Sequence, residues 1–159
     1  MNHRTRRAIR LKGYDYRANG AYFITICTVN REPVLGSVFD GEIHHSPMGE
    51  IVQDAWLWLE QQYLYVILDA FVIMPNHLHG ILVLAPTGEV APKPLGGLIG
   101  AFKTVSTKQF NQRQGLDAGK LWQPYFHDHI IRNEADLDRV RKYIADNPAR
   151  WKEDEDYVE

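Results

Sequence analysis

Phe71–Leu84 reads FVIMPNHLHGILVL, and the architecture is built around it. Two runs rich in β-branched and large apolar side chains, Val66–Ile73 and Leu78–Leu84, read as strands joined by the tight connection MPN. Pro75 fixes φ there, and Asn76 tolerates unusual backbone angles. Successive strand side chains point to opposite faces, so His77 and His79 project from one face. Leu78, between them, points the other way into a helix-covered core.

Working outward, Ala21–Val29 (AYFITICTV) reads as a buried strand. Ser46 opens a helical stretch, SPMGEIVQDAWLWLEQQY, with Pro47 in the first turn and Glu50 early. Its Ile51, Ala55, Leu59 and Val52, Trp56 recur at helical spacing. Ala85–Gly97 reads as a loop, followed by a second helix with an apolar stripe at Leu95, Leu98, Phe102 and Val105. Lys103, Thr107, Lys108 and Asn111 lie on that helix's opposite side. Leu121–Ile131 reads as a fourth strand, and Asn133 as the N-cap of a helix running to about Asp146. The order β–α–β–β–α–β plus a helix predicts an α+β, ferredoxin-like (RRM- or palm-like) antiparallel sheet of strand order 4-1-3-2. Two helices cover one face, and the added C-terminal helix is free to cover part of the other.

The 159 residues fit a single domain, with 45% apolar and 24% charged residues. That balance excludes a disordered chain, a collagen and a coiled coil. The apolar runs, Ile81–Ala85 among them, are strand-sized against the roughly 20 residues that span a bilayer. The basic start MNHRTRRAIRLKGYDY has no apolar segment behind it, which argues against export. Cys27 is the only cysteine, so a reducing cytoplasm fits best. Charge is uneven within a net −2. Residues 1–17 form a basic arm in which Arg4, Arg6, Arg7, Arg10, Lys12 and Arg17 face Asp15 alone. Residues 152–159 form an acidic tail, read either as solvated or as masking the arm.

His77 and His79 can share one metal ion, although strand histidines also serve as ordinary hydrogen-bonded groups. Other candidates are His44 and His45, expected in a turn before the first helix, and His127 and His129, which alternate on the fourth strand. A four-histidine zinc site is open on spacing, but strand one separates the last pair from strand three. On the C-terminal helix, Leu137, Val140 and Ile144 form a stripe with Tyr143 and Asn147 at its edge, four residues apart. If that stripe docks on the open face, Asn147 offers an amide oxygen as third ligand and Tyr143 a phenolic nucleophile. Pro148 is expected to push Asn147 out of helical geometry. Tyr143 also reads as an edge residue that only packs its ring.

Taken together, FVIMPNHLHGILVL resembles the paired-histidine signature of the HUH endonuclease superfamily. HDHIIRNEADLDRVRKYIADNP resembles the single-tyrosine helix of its transposase branch, and GYDYRANGAYFITICT the opening of REP-associated tyrosine transposases. The resemblance covers about residues 10–151. It implies metal-dependent cleavage and rejoining of single-stranded DNA beside hairpins, through a covalent 5′-phosphotyrosine. By that resemblance His77, His79 and Asn147 hold Mg²⁺ or Mn²⁺, and Tyr143 is the nucleophile. Relatives include homodimers and monomers. Three neutral ligands bring no negative charge, so metal and DNA are expected to bind cooperatively, and two imidazoles shift preference towards Mn²⁺ or Zn²⁺. Lys103, Lys108, Arg113, Arg132 and the arginines of the arm are candidate phosphate contacts, with Trp122, Tyr125 and Phe126 as candidate stacking surfaces. Competing readings are a host-adopted hairpin-binding protein that does not cut, a metal hydrolase using water, and a structural domain.

Overall fold

The expected hairpin lies within a four-stranded antiparallel sheet. The computed structural model describes residues 20–86, 88, 90–114 and 119–159. Its strands are β1 (Gly20–Cys27), β2 (Gly36–Phe39), β3 (Glu42–His45), β4 (Val66–Met74), β5 (His77–Leu84) and β6 (His127–Ile131). Its helices are α1 (Pro47–Gln62), α2 (Leu95–Gln114) and α3 (Glu134–Asp146). The main sheet runs β4-β5-β1-β6, the expected order read from its other edge.

Alternation splits the sheet into two chemistries. Tyr22, Ile24 and Ile26 of β1 and Leu78, Leu82 and Leu84 of β5 enter a core with Val52, Trp56 and Leu59 of α1 and Leu98 and Phe102 of α2. On the opposite face Ile81 packs with Val140 and Ile144 of α3, flanked by Phe23, Val72, Val83 and Leu137. Gly80 points to the helical face, where an added Cβ would stand 2.6 Å from Trp56 Cζ2. The glycine therefore lets the indole lie directly on β5.

The expected caps are present. Ser46 Oγ accepts from Gly49 N at 3.2 Å, and Asn133 Oδ1 accepts from Asp136 N at 2.8 Å. A bulge in β4 sets Asp69 and Ala70 between the paired positions Leu68 and Phe71. From there Asp69 accepts two bonds from Arg141 of α3, at 2.8 and 2.7 Å. This pair fastens the helix to the sheet edge.

Three expectations change. His44 and His45 lie on β3, in a small hairpin with β2, and not in a turn. Asp40 and Gly41 at its tip have φ of 53° and 74°, and an Asp-Gly dipeptide between short strands is the sequence signal for such a turn. The fourth strand is shorter than expected because Pro124 has no N–H for a ladder, leaving Trp122 in an isolated bridge to Thr28. The acidic tail is not simply a solvated end: Trp151–Glu153 form a 3-10 turn, and Trp151 and Asp156 are buried.

Candidate active site

His77 and His79 emerge side by side on the α3 face of β5, both fully buried. Their ring centroids are 4.5 Å apart. Register places His79 opposite Thr25 of β1 and His77 opposite Cys27. Thr25 Oγ1 lies 2.8 Å from His79 Nδ1, and Asn76 Oδ1 lies 2.8 Å from His77 Nδ1. Both Nδ1 atoms are thus engaged by polar neighbours, an arrangement typical of histidines whose Nε2 faces a metal ion.

Across from them α3 brings Tyr143. Its ring centroid is 5.3 Å from that of His79 and 5.9 Å from that of Phe23, and the residue is 45% exposed. Asn147 follows one turn later and keeps helical angles, φ −57° and ψ −47°. The expected displacement by Pro148 does not occur, because the chain continues in turns with Arg150 N donating to the Asn147 carbonyl at 3.2 Å. Asn147 Oδ1 is buried and has no hydrogen-bond partner among the described residues. A buried acceptor of this kind is costly unless something else satisfies it.

Sequence reasoning missed Asp154. Its Oδ2 lies 3.7 Å from His77 Nε2. One ligand atom each from His77, His79 and Asp154 lies within 4.8 Å of the others, close enough to hold a metal ion. The carboxylate arrives because aromatic anchors hold the tail down. Trp151 sits 6.1 Å, centroid to centroid, from His77 and 5.3 Å from Tyr157. Trp151 and Tyr157 flanking the acidic run were the available signal. Tyr143, Asn147, Arg150, Asp154 and Glu155 line a cleft of about 300 Å³.

Among the described residues, the other histidines do not join the site. His45 Nε2 lies 3.2 Å from the Ile73 carbonyl oxygen. His127 and His129 share the face but stand on β6, beyond β1, as expected. His129 Nε2 is 2.7 Å from Asp136 Oδ2. That hydrogen bond, with help from Arg139, holds the Asp136 carboxyl below its usual range.

Residues 18–147 match the family described as IS200-like transposases. The chain belongs to that family. The chain is 32% identical to an uncharacterised protein of Haemophilus influenzae, over 97% of this chain and 94% of that one. It is also 32% identical to the REP-associated tyrosine transposase of Escherichia coli K12, over 52% of this chain and 44% of that protein. A solved REP-associated tyrosine transposase bound to a REP hairpin shares the fold, with a TM-score of 0.63 at 24% identity. That match covers 89% of this chain and 73% of the other. Family membership supports a transposase function, and with it DNA as the partner.

Among the described residues the candidate phosphate contacts are scattered. Arg4, Arg6, Arg7 and Arg10 lie outside the described residues. Lys108 and Arg113 are exposed on α2, which packs on the sheet face opposite the histidines. Lys103, also on α2, donates to the carbonyls of Gln123 and Tyr125 at 2.8 and 3.3 Å, holding the segment before β6. Arg132 is exposed just after β6. Trp122 and Phe126 belong to the core, and Tyr125 alone of the three aromatics is exposed. Among the described residues no helix is long and apolar enough to cross a membrane.

Proposed function

We propose that this protein is a metal-dependent endonuclease and strand transferase acting on single-stranded DNA beside hairpins, with Tyr143 as nucleophile. The observation that carries the reading is the edge-on packing of Tyr143 against His79, beside the cleft that Tyr143 lines with Asp154 and Asn147. His77, His79, Asp154 and the orphaned Asn147 oxygen would hold Mg²⁺ or Mn²⁺. Two imidazoles favour manganese, while carboxylate and amide oxygens also suit magnesium. A divalent cation bound there would polarise a phosphodiester and offset charge as it develops.

The chain supplies the rest. α3, fastened to the sheet by Arg141–Asp69, fixes the Tyr143 ring against Phe23 and His79. Half-exposure leaves the side chain accessible to a DNA strand laid across the cleft. The phenol is a weak nucleophile while protonated, with a pKa of about 10, so it gives up its proton as the Oη–P bond forms. The P–O3′ bond breaks and the departing 3′-oxygen gains a proton. A 5′-phosphotyrosine and a free 3′-hydroxyl result, and the bond energy is kept for rejoining.

The test is mass spectrometry of tryptic peptides after incubation with Mn²⁺ and single-stranded hairpin DNA. The nucleotide adduct should sit on the peptide containing Tyr143. An adduct on another residue would reassign the nucleophile. Cleavage with no adduct would favour the water-using hydrolase, and binding without cleavage the non-cutting hairpin binder.

A further inference from the structure

Asn76 sits in the hairpin turn, where its residue type suggests a backbone role. Among the described residues, however, the non-glycine positions with positive φ are Asn30, Arg31 and Asp40. Asn76 is not one of them, so its backbone does not require an asparagine. Its side chain does the distinctive work and is fully buried.

Asn76 Nδ2 donates to the Asp156 carbonyl at 2.7 Å and to the Arg31 carbonyl at 3.3 Å. Carbonyl oxygens only accept, so the amide nitrogen must face them and Oδ1 must face the His77 ring. Oδ1 in turn can only accept, which puts the ring proton on His77 Nδ1. Nε2, the atom 3.7 Å from Asp154 Oδ2, then keeps its lone pair available on the Asp154 side. A free imidazole favours the opposite tautomer, so this contact works against the ring's own preference. The same amide anchors the tail. With the Asp156 carbonyl held, the Asp156 N–H donates to Asp154 Oδ1 at 2.8 Å, leaving Oδ2 turned to His77.

We propose that Asn76 is a positioning residue that couples the tautomer of His77 to the seating of Asp154, so that one amide prepares both the lone pair and the carboxylate. This rests on the reading of His77 and Asp154 as ligands. It assigns the carboxamide a task that a turn alone does not require.

The test uses the full chain with ¹⁵N-labelled histidine, first metal-free. Long-range ¹H–¹⁵N spectra report which His77 nitrogen carries the proton, and electron paramagnetic resonance titration gives Mn²⁺ affinity. The wild type should show the proton on Nδ1. Asn76→Ala should lose that tautomer and bind Mn²⁺ about 10- to 100-fold more weakly, the usual range when a ligand's support is removed. Asn76→Asp still accepts from Nδ1 but cannot donate to either carbonyl, so it should keep the tautomer and still bind Mn²⁺ more weakly. A folded Asn76→Ala with wild-type tautomer or wild-type affinity would overturn the proposal. If Asn76→Ala does not fold, Asn76→Asp with undiminished affinity overturns it instead. His77→Ala separates the two levels. Wild-type Mn²⁺ affinity in that variant would remove the ligand reading and the coupling with it, while the metal-free spectra still judge the Asn76–His77 contact.

Discussion

Asp154 changes the electrostatics of the site at the scale of one residue. Two imidazoles and an amide carry no charge, and on that basis metal was expected to wait for a DNA phosphate. A carboxylate 3.7 Å from His77 Nε2 supplies negative charge beforehand. Mn²⁺ is therefore expected to bind the DNA-free protein. Asp154→Asn should weaken that binding by at least the roughly 10- to 100-fold that loss of a ligand's supporting partner costs and restore a strong dependence on DNA, both measurable by titration with and without a hairpin oligonucleotide. Equal Mn²⁺ affinity in the variant would place the carboxylate outside the ligand set. Gly80 answers to sterics alone. A methyl group there meets Trp56 at 2.6 Å and Phe71 at 3.3 Å. Gly80→Ala should cost about 1–3 kcal/mol, the range for overpacking a filled core, read from denaturant unfolding. Trp56→Ala removes the other half of that contact and should cost about 3–5 kcal/mol.

Among the elements, α3 decides whether the site exists, since it carries Tyr143 and is capped by Asn147. Its apolar stripe buries Val140 and Ile144 against Ile81, and Arg141 clamps Asp69 at the β4 bulge. The hydrogen bonds from Arg141, opposed by desolvation, hold the Asp69 carboxyl below its ordinary value. A depressed carboxyl contributes stability above its unfolded pKa, and that contribution is lost as pH falls through the folded one. The difference in Tm between wild type and Asp69→Asn should thus be full at neutral pH, shrink below about pH 4 and vanish in stronger acid. It should also shrink with salt, because both partners are partly exposed. A difference that grows in acid would contradict the assignment. The helix and its caps were legible because Asn133, the early acidic residues and the Leu137–Val140–Ile144 spacing are local signals. The β2–β3 hairpin was overlooked because four-residue strands carry little periodicity, and only Asp40–Gly41 marks it. The seating of Asp154 was not legible. It depends on Asn76 and Trp151 capturing a segment nearly 80 residues further along the chain from Asn76, and an acidic run does not announce which of its members folds back.

Over the whole molecule the sheet divides labour between its faces. One is closed by α1 and α2 around Trp56 and Phe102, and stabilises the domain. The other gathers two histidines, an amide, a carboxylate and a tyrosine from β5, α3 and the tail. Pairing that second face with membership of the IS200-like transposases makes strand cleavage through Tyr143 the central claim. The most direct measurement is a denaturing gel of 5′- and 3′-labelled single-stranded hairpin DNA incubated with protein and Mn²⁺. Wild type should give a DNA–protein band that survives denaturation and carries the 3′ label, and the band should be absent from Tyr143→Phe and His77→Ala. Cleavage that persists undiminished in Tyr143→Phe, with no covalent band in any lane, would contradict the account.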